Sequence, residues 1–214
     1  MKKGKYLITG CAGFIGSHLT KTIFKDHDLI LVDDLSEGKL KNLPFNLRKK
    51  IIKKKIQNLK NIKSLNLKGI FHLAAQSSVP LSITEFYNSS SNNIASSIKV
   101  FELAKKFNVP VIYASSSAIY GDLPMGNDNK KKFSITSPYA QDKLVLEDYA
   151  KMSYDVFGVS SVGLRLFNVY GPRSRTSGTY GAMFGTFLTQ KLYQKPLTIV
   201  GNGKQTRDFT YVSD

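Results

Sequence analysis

Cysteine is almost absent from this chain: Cys11 is the only one. A lone thiol closes no intramolecular disulfide, which excludes a disulfide-stapled framework and suits a reducing cytoplasm, the expected location. No apolar run is long enough to cross a membrane. The nearest approach to a secretory signal is the apolar stretch after Met1, Lys2 and Lys3. Gly10, Gly13 and Gly16 interrupt it, and no small-residue cleavage site follows. Carboxylates are scarce too, with 15 Asp and Glu against 31 Lys and Arg, and the net charge of +16 favours anionic partners. Nucleic acid is nevertheless not expected, nor is a membrane partner or a metal. The lysines concentrate in RKKIIKKKIQNLKNIK, Arg48 to Lys63, without interleaved aromatics to stack on bases and without a recognisable nucleic-acid module. That run reads as a solvated surface, compatible with a phosphate-bearing small molecule.

At 214 residues the chain is long enough for one domain with a good core, or one domain and part of another. Near its start, YLITGCAGFIGSH places Gly10, Gly13 and Gly16 at G-x-x-G-x-x-G, one residue longer than the usual dinucleotide-binding turn. Lys5 to Thr9 reads as a short strand, and Ile15, Leu19 and Ile23 then recur at the spacing of a helical face. Glycines at such a junction allow a sharp turn and a close ligand approach, and the free N–H groups of the first helical turn face an anion. A glycine-rich turn that binds nothing is the alternative.

Strand and helix patterns alternate beyond this point. DLILVDD (Asp28 to Asp34), KGIFHLAA (Lys68 to Ala75), VPVIYASSS (Val109 to Ser117) and SSVGLRLF (Ser160 to Phe167) read as strands of a buried parallel sheet. Asn92 to Phe107 reads as a helix with apolar residues on two faces, one for the sheet and one for a partner. A second helix has Ser137 as cap, Pro138 at its first position and Gly158 after its end. The alternation predicts an α/β, doubly wound parallel sheet.

Asp33 ends the second strand about 20 residues past the glycines, where a carboxylate accepts hydrogen bonds from the adenosine ribose hydroxyls. Its charge would oppose a 2′-phosphate, so NAD rather than NADP is the expected cofactor. Tyr139 and Lys143 lie four apart on one helix and share a face. A lysine ammonium, together with a positive nicotinamide ring, is expected to lower the phenol pKa. The pair follows the strand ending in SSSAIYG, at the sheet edge where ligands bind in open α/β folds.

TGCAGFIG, VDDLSEG, HLAA, SSSAIYG, SPYAQDK, RLFNVYGPR and GNGKQTRDFTYV occur in the order and spacing of the extended short-chain dehydrogenases/reductases, and the chain resembles their nucleotide-sugar epimerases. The resemblance implies a Rossmann-type NAD-binding domain over residues 1–167 and the beginning of a smaller substrate lobe over 168–214. It implies that Gly10, Gly13 and Gly16, with Phe14 and Ile15, cradle the NAD pyrophosphate and that Asp33 and Asp34 take the ribose side. Leu73, Ala74 and Ala75 would line the cofactor cleft, Asn93 would stabilise the active-site helix, and Phe167 would border the nicotinamide. Tyr139 would be the catalytic acid/base, Lys143 its pKa modifier and ribose ligand, and Ser117 the hydroxyl beside the sugar oxygen. Asn168 and Arg207 would hold the diphosphate of a UDP-sugar substrate.

The family places an aspartate and a hydrophobic residue at the adenine, and here the matching pair is Lys55 and Ile56. Related dehydratases and decarboxylases carry carboxylates just after the hydroxyl residue, where this reading puts Ala118 and Ile119, so C4 epimerisation of a UDP-hexose is the expected reaction and a homodimer the expected assembly. The resemblance implies that family members continue past Asp214, so either a naturally short relative or a truncated form is expected, the latter with uncovered apolar surface. A non-catalytic NAD- or nucleotide-sugar-binding module, or a related dehydratase or reductase, remains open as the alternative.

Overall fold

The computed structural model describes residues 4–60, 62, 66–121, 123, 133–174, 183–199, 201–204 and 206–214. Met1, Lys2 and Lys3 of the signal reading and Lys63 at the end of the lysine run lie outside them. Contacts divide the chain into two compact units, Met1–Arg165 and Leu166–Asp214.

The first unit opens with β1 (Lys5–Thr9), which enters α1 (Phe14–Ile23) through the glycine turn and leads to β2 (Asp28–Val32). A crossover of two 3-10 turns, Leu40–Asn42 and Phe45–Leu47, reaches the two-residue β3 (Ile51–Ile52), from inside the lysine run. After a third 3-10 turn, Ile56–Asn58, come β4 (Leu67–His72), α2 (Val79–Thr84), α3 (Phe86–Phe107), β5 (Val111–Ser116), α4 (Pro138–Phe157) and β6 (Ser161–Leu166). The strand order is β3-β2-β1-β4-β5-β6, with β1 parallel to β2 and β4, β2 to β3, and β4 to β5. This is the doubly wound Rossmann-type sheet that the strand and helix alternation predicts.

Strand alternation builds a core on each face of the sheet. Leu7 joins Val32, Ile70, Val111, Val100 and Leu146 beneath α3 and α4, while its neighbour Ile8 joins Leu31, Leu43 and Leu47 on the side of α1. Both β1 residues are fully buried. α4 starts and stops as its sequence predicts: the Ser137 hydroxyl accepts from the Ala140 amide at 3.2 Å, Pro138 opens the helix, and Gly158 closes it at φ +69°.

Several element boundaries differ from the sequence reading, and those nearest the site matter most. α3 begins at Phe86, not Asn92, because the serine-rich turn before Asn92 is helical, and α2, capped by Ser78, precedes it. β2 stops at Val32, leaving Asp33 just past its end. β5 stops at Ser116, and Ser117 opens a 3-10 turn, Ser117–Tyr120, whose cap is the Ser116 hydroxyl accepting from the Ala118 amide at 3.1 Å.

The second unit contains α5 (Met183–Leu192) and a bridge between Tyr170 and Tyr211. The Tyr170 ring contacts Phe184, Phe209 and Tyr211, an aromatic cluster around which this small unit is built.

Candidate active site

At the carboxyl ends of β1 and β4 the glycine turn leaves no room for side chains. Gly10 has φ +69°, and a Cβ there would lie 2.7 Å from the Ala74 amide nitrogen; a Cβ on Gly16 would lie 2.0 Å from the Gly10 carbonyl oxygen. The turn is thus pressed against Leu73–Ala74 on one side and against α1 on the other. Gly13 caps α1 without a side-chain acceptor, so the amides of Phe14, Ile15 and Gly16 open the helix with none from the cap residue. This backbone fits a pyrophosphate, the anionic centre of the expected NAD.

Asp33 stands beside the turn, buried. Its Oδ2 accepts from the Ala12 amide at 2.8 Å and its Oδ1 from the Leu35 amide at 2.9 Å. Burial raises its carboxyl above the ordinary value, the Leu35 and Ala12 amides oppose that, and neighbouring Asp34 adds to it. Each oxygen retains acceptor capacity, so the carboxylate still fits a ribose diol. Asp34 is exposed, and its Oδ1 accepts from the Ser36 amide at 3.0 Å and the Ser36 hydroxyl at 2.6 Å. Ile56 is buried in the core while Lys55 before it is exposed.

Beneath the turn runs a buried chain of hydrogen bonds that the sequence reading missed. The Leu73 and Ala74 amides both donate to Thr9 Oγ1 at 3.2 Å, so the Thr9 proton points to His72 Nδ1, 2.8 Å away. Ser97 Oγ donates to the Asn93 carbonyl at 2.7 Å, leaving its oxygen to accept from His72 Nε2 at 3.5 Å. Every partner's role is fixed only if His72 is neutral with its proton on Nε2. Burial, and secondarily the Lys143 cation, push His72 down to about 3. The signal was in HLAA itself, whose polar His72 falls within an apolar strand.

Asn93 extends this chain to α4. Its Nδ2 donates to Asp142 Oδ2 at 2.9 Å and to the Gln76 carbonyl at 3.1 Å, and its Oδ1 accepts from the Gln76 amide at 2.8 Å. α3, α4 and the segment after β4 are thereby tied together one residue from Lys143.

Tyr139 and Lys143 are both buried, one turn apart on α4. The hydroxyl that acts on the Tyr139 phenol is that of Ser116, one residue before the expected Ser117. Strand alternation supplies the reason. Ser116, the last residue of β5, alternates with Ser115, whose Oγ donates to Glu147 at 2.5 Å on the core side, while Ser117 already lies in the 3-10 turn. The expected lowering of the Tyr139 phenol is also not found in the protein alone. Burial raises it above the ordinary tyrosine value, the Ser116 hydroxyl opposes, and Asp142 adds to the rise. Lys143 Nζ donates to the Ala114 carbonyl at 2.6 Å and lies 5.7 Å from the centre of the Tyr139 ring. Burial lowers Lys143 to about 8 against the opposing pull of Asp142.

In the second unit the Phe167 carbonyl accepts from the Thr210 amide at 3.2 Å, and Asn168 Nδ2 donates to the Asp208 carbonyl at 2.8 Å. Arg207 is exposed, with Nη1 donating to the Thr206 carbonyl at 2.7 Å. Asn168 and Arg207 therefore belong to one local constellation within their unit.

The NAD dependent epimerase/dehydratase family model matches residues 6–214. The chain is 38% identical over 225 residues to an uncharacterized UDP-glucose epimerase of Bacillus subtilis, covering 98% of this chain and 69% of the relative. It is 34% identical over 228 residues to a UDP-N-acetyl-alpha-D-glucosaminuronate decarboxylase of Bacillus cytotoxicus, covering 100% and 69%. Among solved structures it is similar to the UDP-N-acetylglucosamine 4-epimerase of Methanobrevibacter ruminantium in complex with UDP-N-acetylmuramic acid, with a TM-score of 0.91, 37% identity and coverage of 99% of this chain and 70% of that one.

Proposed function

We propose that this chain, which belongs to the NAD dependent epimerase/dehydratase family, inverts C4 of a UDP-linked hexose through a transient 4-keto sugar. The family's members are nucleotide-sugar epimerases, decarboxylases and dehydratases, and NAD is the family's cofactor. The observation that carries the finer reading is the pairing of Tyr139 with Ser116, followed by Ser117 and Ala118. With the hydroxyl residue moved to Ser116, these two occupy the positions where the related dehydratases and decarboxylases carry carboxylates. Neither ionises at working pH, so no second acid or base is present there to eliminate water or to expel carbon dioxide.

In this reading the amides at Phe14, Ile15 and Gly16 hold the pyrophosphate, Asp33 holds the ribose diol with Asp34 beside it, and Ile56 flanks the adenine. Leu73, Ala74 and Ala75 line the cleft. When bound, NAD supplies a reversible acceptor for the C4 hydride. Ser116 orients the 4-hydroxyl, and Tyr139 accepts its proton as the C4 carbonyl forms, then returns it once the keto sugar has turned over. Lys143, buried beside Tyr139, favours the phenolate during that transfer and takes the nicotinamide ribose. Asn168 and Arg207 hold the diphosphate, for which a planar guanidinium is suited, and Phe167 borders the nicotinamide. We place the enzyme in the cytoplasm as a homodimer.

Incubation with NAD and UDP-glucose, UDP-N-acetylglucosamine or UDP-glucuronate, followed by NMR of the sugar protons, tests the reading. The C4 epimer of one of them is expected, and its formation is expected to be lost in Tyr139→Phe. NAD binding with no conversion of any of the three overturns the reading.

A further inference from the structure

Residues 39–60 hold eight lysines and Arg48 without a single carboxylate, more than half of the net charge of +16. They form the crossover from β2 and the edge of the sheet, since among the described residues β3 pairs with β2 alone. Lysines beside an edge strand block pairing with another chain, which accounts for those flanking Ile51 and Ile52. It does not account for Phe45. Leu43 and Leu47 are buried in the core on the α1 side, and Phe45 between them is 79% exposed on its 3-10 turn. Arg48 holds that turn in place: Nε donates to the Leu43 carbonyl at 3.0 Å, Nη2 to the Lys41 carbonyl at 3.2 Å, and the guanidinium lies 5.7 Å from the centre of the Phe45 ring. A fixed aromatic ring thus projects from a surface of exposed lysines.

We propose that this crossover docks the protein on an anionic lipid surface, with Phe45 entering the headgroup boundary and Lys41, Lys49, Lys50, Lys53 and Lys54 meeting the lipid phosphates. Lysines near an anionic leaflet and an aromatic side chain at its boundary contribute together, whereas either alone binds weakly. Single-stranded nucleic acid fits less well, because it needs successive aromatics along a groove and here one ring stands on a turn. The sequence reading expected no membrane partner; the exposure of Phe45, which no periodicity reveals, changes that expectation.

Flotation with vesicles of phosphatidylcholine alone, or with about 30% phosphatidylglycerol, tests the proposal. The protein is expected to float with the anionic vesicles and not the neutral ones, and to be released as salt rises well above about 0.1 M. Phe45→Ser should weaken partitioning about tenfold. Lys49→Gln, Lys50→Gln, Lys53→Gln and Lys54→Gln together should weaken it about a hundredfold or more. Both variants should retain the thermal transition and NAD affinity of the parent. Equal binding to both vesicle types, no binding to either, or an unchanged Phe45→Ser overturns the proposal. So does displacement from anionic vesicles by substoichiometric RNA, which would make nucleic acid the partner.

Discussion

Single side chains at this site are held by what lies behind them. Ser115 and Ser116 are neighbours in β5, yet one bonds to Glu147 in the core and the other acts on the Tyr139 phenol. If Ser116 orients the substrate, Ser116→Ala should lower kcat for epimerisation by about a hundredfold, with Ser117→Ala within a few-fold of the parent. The reverse order would return the role to Ser117. His72 sets a second test, on stability. Its native value of about 3 lies below the ordinary 6.5, so between those two pH values the unfolded chain binds a proton that the native chain does not. Its contribution to stability is therefore present above about 6.5 and is lost as pH falls toward about 3, at up to ~1.4 kcal/mol per pH unit. Denaturant titrations between pH 7 and 4 should show that slope, and His72→Gln should flatten it. Glycines, Asp33, Tyr139 and Lys143 were legible in the sequence because each stands at a fixed offset from a strand or helix boundary. Thr9, His72 and Ser97 were not, since their hydrogen bonds join residues 25 and 63 apart in sequence.

At the level of elements, local chemistry written in the chain was readable and long-range pairing was not. Ser137, Pro138 and Gly158 specify α4 at both ends within a few residues. β3 escaped because two isoleucines among lysines have no period, and its partner β2 is needed to make them a strand. The link between α4 and the last two strands was equally hidden. Arg165 of β6 donates to Glu147 through Nε at 2.9 Å and Nη2 at 2.7 Å, and through Nη1 to the Tyr120 hydroxyl at 2.9 Å. Its guanidinium also lies 5.0 Å from the ring centres of Tyr120 and Phe133. This half-buried fork fixes α4 against β6 and against the turn that follows Ser116, and Ser115 on the same Glu147 adds β5. Glu147→Ala strands the guanidinium and the Ser115 hydroxyl together, and chemical denaturation should show a loss of about 2 kcal/mol or more. Glu147→Ala combined with Arg165→Met should recover part of that loss, because the stranded charge is gone. A double variant worse than the single one would mean that the pair holds nothing beyond local packing.

For the molecule as a whole, charge and apolar surface make opposite demands. α3 and α4 each bury one face on the sheet, yet Tyr87 and Ile98 on α3 and Met152 and Val156 on α4 stay exposed at helical spacing. Ile98 is 43% and Met152 38% exposed, so each leaves apolar area that a second copy can cover in the homodimer we propose. Two such copies, each with a net charge of +16, repel one another until salt screens them. Dimerisation driven by apolar burial should therefore tighten as salt rises, whereas docking on anionic vesicles should weaken. Light scattering across a salt series is expected to show the dimer fraction rising. Ile98→Glu together with Met152→Glu should raise the dissociation constant about a hundredfold or more, because two carboxylates would be buried without partners. A monomer at all salt concentrations, or a dimer indifferent to both substitutions, would show that this face of α3 and α4 is not the interface.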